Sequence, residues 1–126
     1  MTMETTISYK QTEEFQKDFK KLLKKYRSLE EDLELVKRAA IELFHLQKIN
    51  NLSVFPVSGF CSEKILVCKI KKFACRALKG RGSKSGIRVI YAFHISTLRV
   101  DFIEIYFKAD QENEDQKRIQ KYLNNL

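Results

Sequence analysis

The chain predicts an α+β domain with helices laid on a small, mainly antiparallel sheet, in the order β–α–α–β–β–β–α. Three observations carry this. Apolar residues fall at helical spacing in two consecutive segments before residue 45 and again at the C-terminal end. Between residues 65 and 108 the pattern changes to runs rich in β-branched and aromatic residues. The 126 residues, 44% apolar and 32% charged, are enough for one hydrophobic core and have no internal repeat or linker, so a single domain over residues 1–126 is expected.

The elements follow in order. Ile7 and Tyr9 alternate with Ser8 and Lys10, a short strand of period two. From Thr12, Phe15, Phe19, Leu22, Leu23 and Tyr26 lie at i, i+4, i+7, i+8 and i+11, one stripe of a helix whose other side is rich in lysine. Ser28 and Glu31 have the spacing of a capping box and open a second helix, striped by Leu29, Leu33, Val36, Ala40, Leu43 and Phe44. So short a turn between the two predicts an antiparallel helical hairpin on one face of a sheet. Residues 56–59 read as an irregular connection. Strands are expected over 65–75, 86–95 and 99–108, the last two as a hairpin. A final helix carries Ile119, Tyr122, Leu123 and Leu126 at i, i+3, i+4 and i+7.

Charge is the strongest functional signal. The formal net charge is +8, and the 28 residues from Lys64 to Tyr91 hold nine basic residues and no acidic one. The remaining chain holds 15 basic and 16 acidic residues, so the whole excess lies in one segment. Clustered positive charge points to a polyanionic partner. No apolar run reaches the roughly 18 residues of a membrane helix, and the first residues do not form a secretory signal. Three cysteines are too few and odd in number for a disulfide scaffold, so a reducing, cytoplasmic location is the expectation.

Strand alternation predicts which side chains meet. Val67, Lys69, Lys71 and Phe73 should share an open face, with Leu66, Cys68 and Ile70 turned to the helices. Val100, Phe102, Glu104, Tyr106 and Lys108 should share a face of the last strand, opposite Asp101, Ile103, Ile105 and Phe107, with Arg88 on the strand between. Lysine and arginine hold phosphates, and exposed aromatics such as Tyr106 or Phe73 stack on unpaired bases, a combination suited to RNA. Lys72, Arg76, Arg81 and Lys84 extend the cationic surface. For any one of these residues taken alone, a solvated strand position is the better reading; the combination is what points to RNA.

Other patterns carry less. Residues 80–86, Gly-Arg-Gly-Ser-Lys-Ser-Gly, lack the phosphate-loop spacing and lead into a strand, so they read as a basic hairpin loop. Cys61, Cys68 and Cys75 lack metal-site spacing; no metal or other cofactor is expected, and Cys68 reads as core. His45 reads as structural or exposed, and His94 shares parity with Arg88 as a candidate proton carrier.

With these residues in place, the chain resembles the RelE/ParE superfamily of toxin–antitoxin toxins, near its RelE-like and HigB-like branches. The resemblance runs through residues 15–22 and 25–33, through Lys69-Ile70-Lys71-Lys72-Phe73, and through Ile103-Glu104-Ile105-Tyr106-Phe107-Lys108. Its most specific part is Ser85-Gly86-Ile87-Arg88-Val89-Ile90-Tyr91. The resemblance implies a RelE-like fold and a metal-independent endoribonuclease that cleaves messenger RNA on the ribosome and so inhibits translation. A cognate antitoxin would wrap the sheet and helices, in an assembly that can be oligomeric. By position Lys69 and Lys71 match the family's paired strand lysines, as phosphate ligands and candidate base. Arg88 matches its transition-state arginine, and Lys108 the basic residue ending the last strand, as acid or charge stabiliser. Glu104 is added here as a base or orienting group. The chain departs from the family in a longer loop before Ser85, in lysine at 108 where arginine is common, and in lacking a tyrosine or histidine just after the last strand. Two other readings use the same fold: a ParE-like gyrase inhibitor, which needs no such cation cluster, and a non-catalytic RNA-binding domain.

Overall fold

The computed structural model describes residues 6–50, 52–78 and 85–126. Strand β1 (Ser8–Gln11) leads into helix α1 (Glu13–Lys25). Thr12 caps α1 by accepting from the Phe15 amide at 3.2 Å, while Glu13 and Glu14 open it and Lys24 and Lys25 close it, matching the helix dipole. Helix α2 (Leu29–Val36) widens into a π-helical stretch, Lys37–Glu42, and ends in the short helix α3 (Leu43–His45). The wider turns place Ala40 and Ile41 in the core.

The capping box expected at Ser28 does not form. Ser28 Oγ donates to Asp32 Oδ2 at 2.6 Å and accepts from the Ala77 amide at 2.8 Å. Asp32, almost fully buried, also accepts from the Arg76 amide at 3.2 Å. Glu31 pairs with Arg76 at 2.5 Å instead of reaching back to the helix start. Tertiary contacts to residues 75–77 thus replace the local cap.

The remaining strands are β2 (Val54–Pro56), β3 (Ile65–Ile70), β4 (Ile87–His94) and β5 (Arg99–Phe107), followed by helix α4 (Gln116–Asn124). They form a five-stranded sheet in the order β1-β5-β4-β3-β2, with β1 parallel to β5 and the other neighbours antiparallel. Strand β2 lies where the sequence reads an irregular connection. The strand expected over 65–75 stops at Ile70, because residues 71–78 turn away to meet α2.

A β-bulge decides the faces of β5. Ile90 of β4 pairs with Glu104, but Tyr91 pairs with Phe102, so Ile103 is the extra residue. The alternation therefore inverts. Val100 and Phe102, then Ile105 and Phe107, all join the apolar cluster under α1 and α2, while Ile103 and Tyr106 join the cluster under α4. Strict alternation placed Val100 and Phe102 with Tyr106, and Ile103 with Ile105 and Phe107; the bulge separates each set. On β3 the expectation holds: Leu66, Cys68 and Ile70 face the helices, and Val67 takes the other side. That other side is not open along its length, because Val57, Phe60 and Ile119 cover part of it.

His45 is a buried structural residue. Its Nε2 lies 2.8 Å from the Tyr91 hydroxyl, and its ring stacks 4.0 Å from Phe93. Burial, with help from Lys48, pushes the imidazole down to about 4. Below about pH 6.5 the unfolded chain binds a proton that the native state refuses until about pH 4. Stability is thus expected to fall across that window, by about 3 kcal/mol from this group. Denaturant unfolding at pH 7 and pH 4.5 should show a smaller loss in His45→Gln than in wild type. Cys68 is core as expected, its thiol raised by burial to about 12. No described helix is long and apolar enough to cross a membrane.

Candidate nucleic-acid interface

Because β4 runs antiparallel to both β3 and β5, the end of β3, the start of β4 and the end of β5 lie side by side. Cations gather there. Arg88, second in β4, stands directly opposite Tyr106. Its Nη1 donates to the Lys71 carbonyl at 2.8 Å and to the Ile87 carbonyl at 3.4 Å, which fixes the guanidinium against the end of β3. The Lys108 amide donates to the Gly86 carbonyl at 2.8 Å, so the exposed Lys108 follows β5 beside the start of β4. Lys71 is exposed, with its Nζ 4.7 Å from the ring centre of Phe55.

One step further along the sheet, Phe55, Lys69, Ile90 and Glu104 form a row across β2, β3, β4 and β5. Lys69 is not a free cation. Its Nζ pairs with Glu114 Oε1 at 3.1 Å, each side chain only 13% exposed, and lies 5.9 Å from the Tyr106 ring centre. Burial works to lower its pKa, but the nearby Tyr106 hydroxyl and the Glu114 carboxylate outweigh it and the net shift is upward. An ammonium held charged in this way suits a phosphate ligand better than a proton acceptor. Glu104 is buried and uses both oxygens: Oε2 accepts from Gln111 Nε2 at 2.8 Å, and Oε1 from the Asp115 amide at 2.9 Å. Burial raises its pKa against the opposing pull of those two donors and Arg118. It fastens the segment before α4.

The other expected RNA contacts divide. Lys72 is exposed, and its carbonyl accepts from Ser53 Oγ at 3.2 Å. Arg76 is turned to Glu31 and Asp32 on α2, away from Arg88. Arg81 and Lys84 lie outside the described residues. Phe73 and Tyr106 are both buried, which corrects their expected exposure as stacking platforms. For Phe73 the cause is the early end of β3; for Tyr106 it is the packing against Val67 and α4. His94 sits at the opposite end of β4, six residues or about 20 Å from Arg88 at strand rise. There its Nε2 lies 2.7 Å from the Tyr122 hydroxyl and 3.2 Å from Arg99, and burial with Arg99 lowers its pKa. It is thus separated from the cation cluster.

Sequence reasoning missed three groups. Phe55 is the half-buried aromatic at this edge, unread because its strand has three residues and ends in Pro56. Glu114 and Gln111 reach the site from a polar segment that carries no periodic signal. A depression of about 460 Å³ beside Tyr106 is lined also by Lys21, Lys25, Asp110 and Gln111, which brings the end of α1 to the same region.

The start of β4 is tightly held. Ser85 Oγ donates to the Phe73 carbonyl and accepts from the Ile87 amide, closing the base of the basic loop. Gly86 has φ +86°, and a Cβ there would lie 3.1 Å from the Phe107 ring. Gly86→Ala is expected to destabilise the fold by about 1–3 kcal/mol and to displace Arg88. Denaturant unfolding and the backbone amide shifts of residues 86–90 would check both.

No protein-family model and no curated protein matches the sequence. Among solved structures, the chain is similar to an archaeal RelE–RelB complex from Pyrococcus horikoshii OT3, at 13% identity and a TM-score of 0.49, over 82% of this chain and 97% of that one.

Proposed function

We propose that the chain is a RelE-like toxin that binds single-stranded RNA across this end of the sheet and cleaves it without a metal. The observation that supports this best is the meeting of Lys71, Arg88 and Lys108 at the adjacent ends of three strands. Two of the three belong to the segment that holds the entire cationic excess. In the proposed reaction the ribose 2′-hydroxyl gives its proton to solvent water as its oxygen attacks the neighbouring phosphorus, and the bond from phosphorus to the 5′-oxygen breaks. The products are a 2′,3′-cyclic phosphate and a 5′-hydroxyl. Negative charge builds on the phosphoryl oxygens, and fixed cations stabilise it most where they need not reorganise. Arg88 meets that requirement, because one of its nitrogens is anchored to the Lys71 carbonyl while a guanidinium has further donors for phosphate. Lys71 and Lys108 supply further charge, and Lys108 is the proposed donor to the leaving oxygen.

Action on ribosome-bound messenger RNA and neutralisation by an antitoxin complete the reading and rest on the sequence resemblance; the cytoplasmic location rests on the sparse, odd-numbered cysteines. One observation favours a second reading, RNA binding without cleavage: Lys69 is paired and both oxygens of Glu104 are occupied. Induced expression in a bacterial host separates the two. Wild type is expected to arrest growth and create new in-frame message 5′ ends, both lost with Arg88→Ala combined with Lys108→Ala. Arrest with intact messages and damaged DNA would overturn the ribonuclease in favour of gyrase inhibition. Folded protein that binds RNA and cuts nothing would leave only the binding reading.

A further inference from the structure

The pair between Lys69 and Glu114 sets an acidic side chain on the cationic face. Glu114 comes from 45 positions away in sequence, and its place there is built. The buried Glu104 carboxylate grips the segment at the Gln111 side chain and at the Asp115 amide, on either side of Glu114. Asp115 in turn caps α4 by accepting from the Arg118 amide at 3.1 Å. Glu114 is therefore held immediately before a helix start, aimed at a lysine that is mostly withdrawn from solvent. The charge of a lysine so placed is already answered, and an arriving phosphate competes with the carboxylate for it.

We infer that Glu114 is an internal substitute for an RNA phosphate: it occupies Lys69 in the free protein and is displaced when a phosphodiester of the chain arrives. This rests on the proposal that the face binds RNA. Its effect is to restrain the site. The carboxylate repels incoming phosphates, and exchanging one anion for another at Lys69 yields little net attraction. Removing the carboxylate lets Lys69 take that phosphate without an exchange.

The test is the affinity of the full chain for a short fluorescein-labelled 2′-O-methyl RNA, which cannot be cleaved, measured over a range of salt concentrations. Glu114→Gln should bind about tenfold more tightly at low salt, because Lys69 no longer gives up a charge-assisted contact to take the phosphate. Its dependence of log K on log salt should differ from wild type by less than about 0.7, the increment for one phosphate on a single strand, because Lys69 meets the same phosphate in both. Glu112→Gln removes the same charge from an exposed position two residues away and should leave both quantities near wild type. In a Lys69→Ala background, Glu114→Gln should lose its effect. Because Glu114→Gln also breaks a shielded ion pair, a measurement on wild type accompanies it. The carboxylate carbon resonance of Glu114 should move on RNA addition, and that of Glu112 should not. If Glu114→Gln and Glu112→Gln bind alike, or the Glu114 resonance stays fixed at saturation, the inference is overturned while the RNA site stands, provided Arg88→Ala still weakens binding. If no protein binds the RNA at low salt, or Arg88→Ala and Lys71→Ala bind as wild type, the reading of the face fails and takes the inference with it.

Discussion

Arg88→Ala should lower the rate of RNA cleavage by about a hundred- to a thousand-fold, the usual consequence of removing one preorganised transition-state donor. RNA affinity should fall far less, since Lys71, Lys72 and Lys108 continue to supply exposed charge at the same end of the sheet. The contrast arises from how Arg88 is held. Its Nη1 bond to the Lys71 carbonyl costs the chain no reorganisation when phosphate charge develops, whereas the exposed lysines must be ordered at that moment. Arg88→Lys should recover little of the loss, because an ammonium cannot make the anchoring bond and a paired phosphate contact together. Single-turnover cleavage of message in a translating extract, beside direct binding, gives both numbers. Affinity and rate falling together by the same factor would make Arg88 a binding residue only.

The largest effect on stability is expected at Phe15. Phe15→Ala should cost about 3–5 kcal/mol, the range for deleting a buried aromatic ring. Phe15 is fully buried, with its ring 5.2 Å from Phe102 and 5.9 Å from Phe19 by centroid. It ties α1 to the middle of β5, and no polar group nearby can close the space left behind without moving a helix. Phe15→Leu, which keeps most of the volume, should cost less than half as much. Equilibrium denaturant unfolding measures both, and equal costs would show that the site relaxes freely.

The sequence made α1, β4 and β5 legible because each is long enough for its periodicity to show: the Phe15-to-Tyr26 stripe, and the Ile87-to-Phe93 and Val100-to-Phe107 runs. Strand β2 escaped notice because Val54-Phe55-Pro56 is too short to alternate, and it exists only by pairing with Cys68, Lys69 and Ile70. The bulge at Ile103 left no mark, since it is a property of two strands in register rather than of one. Ser28 and Glu31 had the right spacing for a cap, but Asp32 and Arg76 offered stronger partners across the fold. At the candidate site, charge was legible and its pairing was not. Lys69 and Lys71 could be placed on a common face from parity, with Arg88 on the strand between, yet the anion on Lys69 comes from a segment whose position depends on a buried carboxylate. Phe73 was misjudged by extending alternation three residues past the true end of β3.

The parallel pairing of β1 with β5 imposes an order on biosynthesis. Ser8 to Gln11 are made about 90 residues before their partners Arg99 to Phe102. Until then the edge of β1 has no strand to join, and Phe15 lacks the Phe102 ring it packs upon. The hairpin of β4 and β5 closes locally, whereas docking of β1 on β5 spans about 90 residues and carries the larger loop entropy. The nascent chain therefore leaves the exit tunnel with α1 waiting, and the cation-bearing strand ends come together only after β5 has emerged.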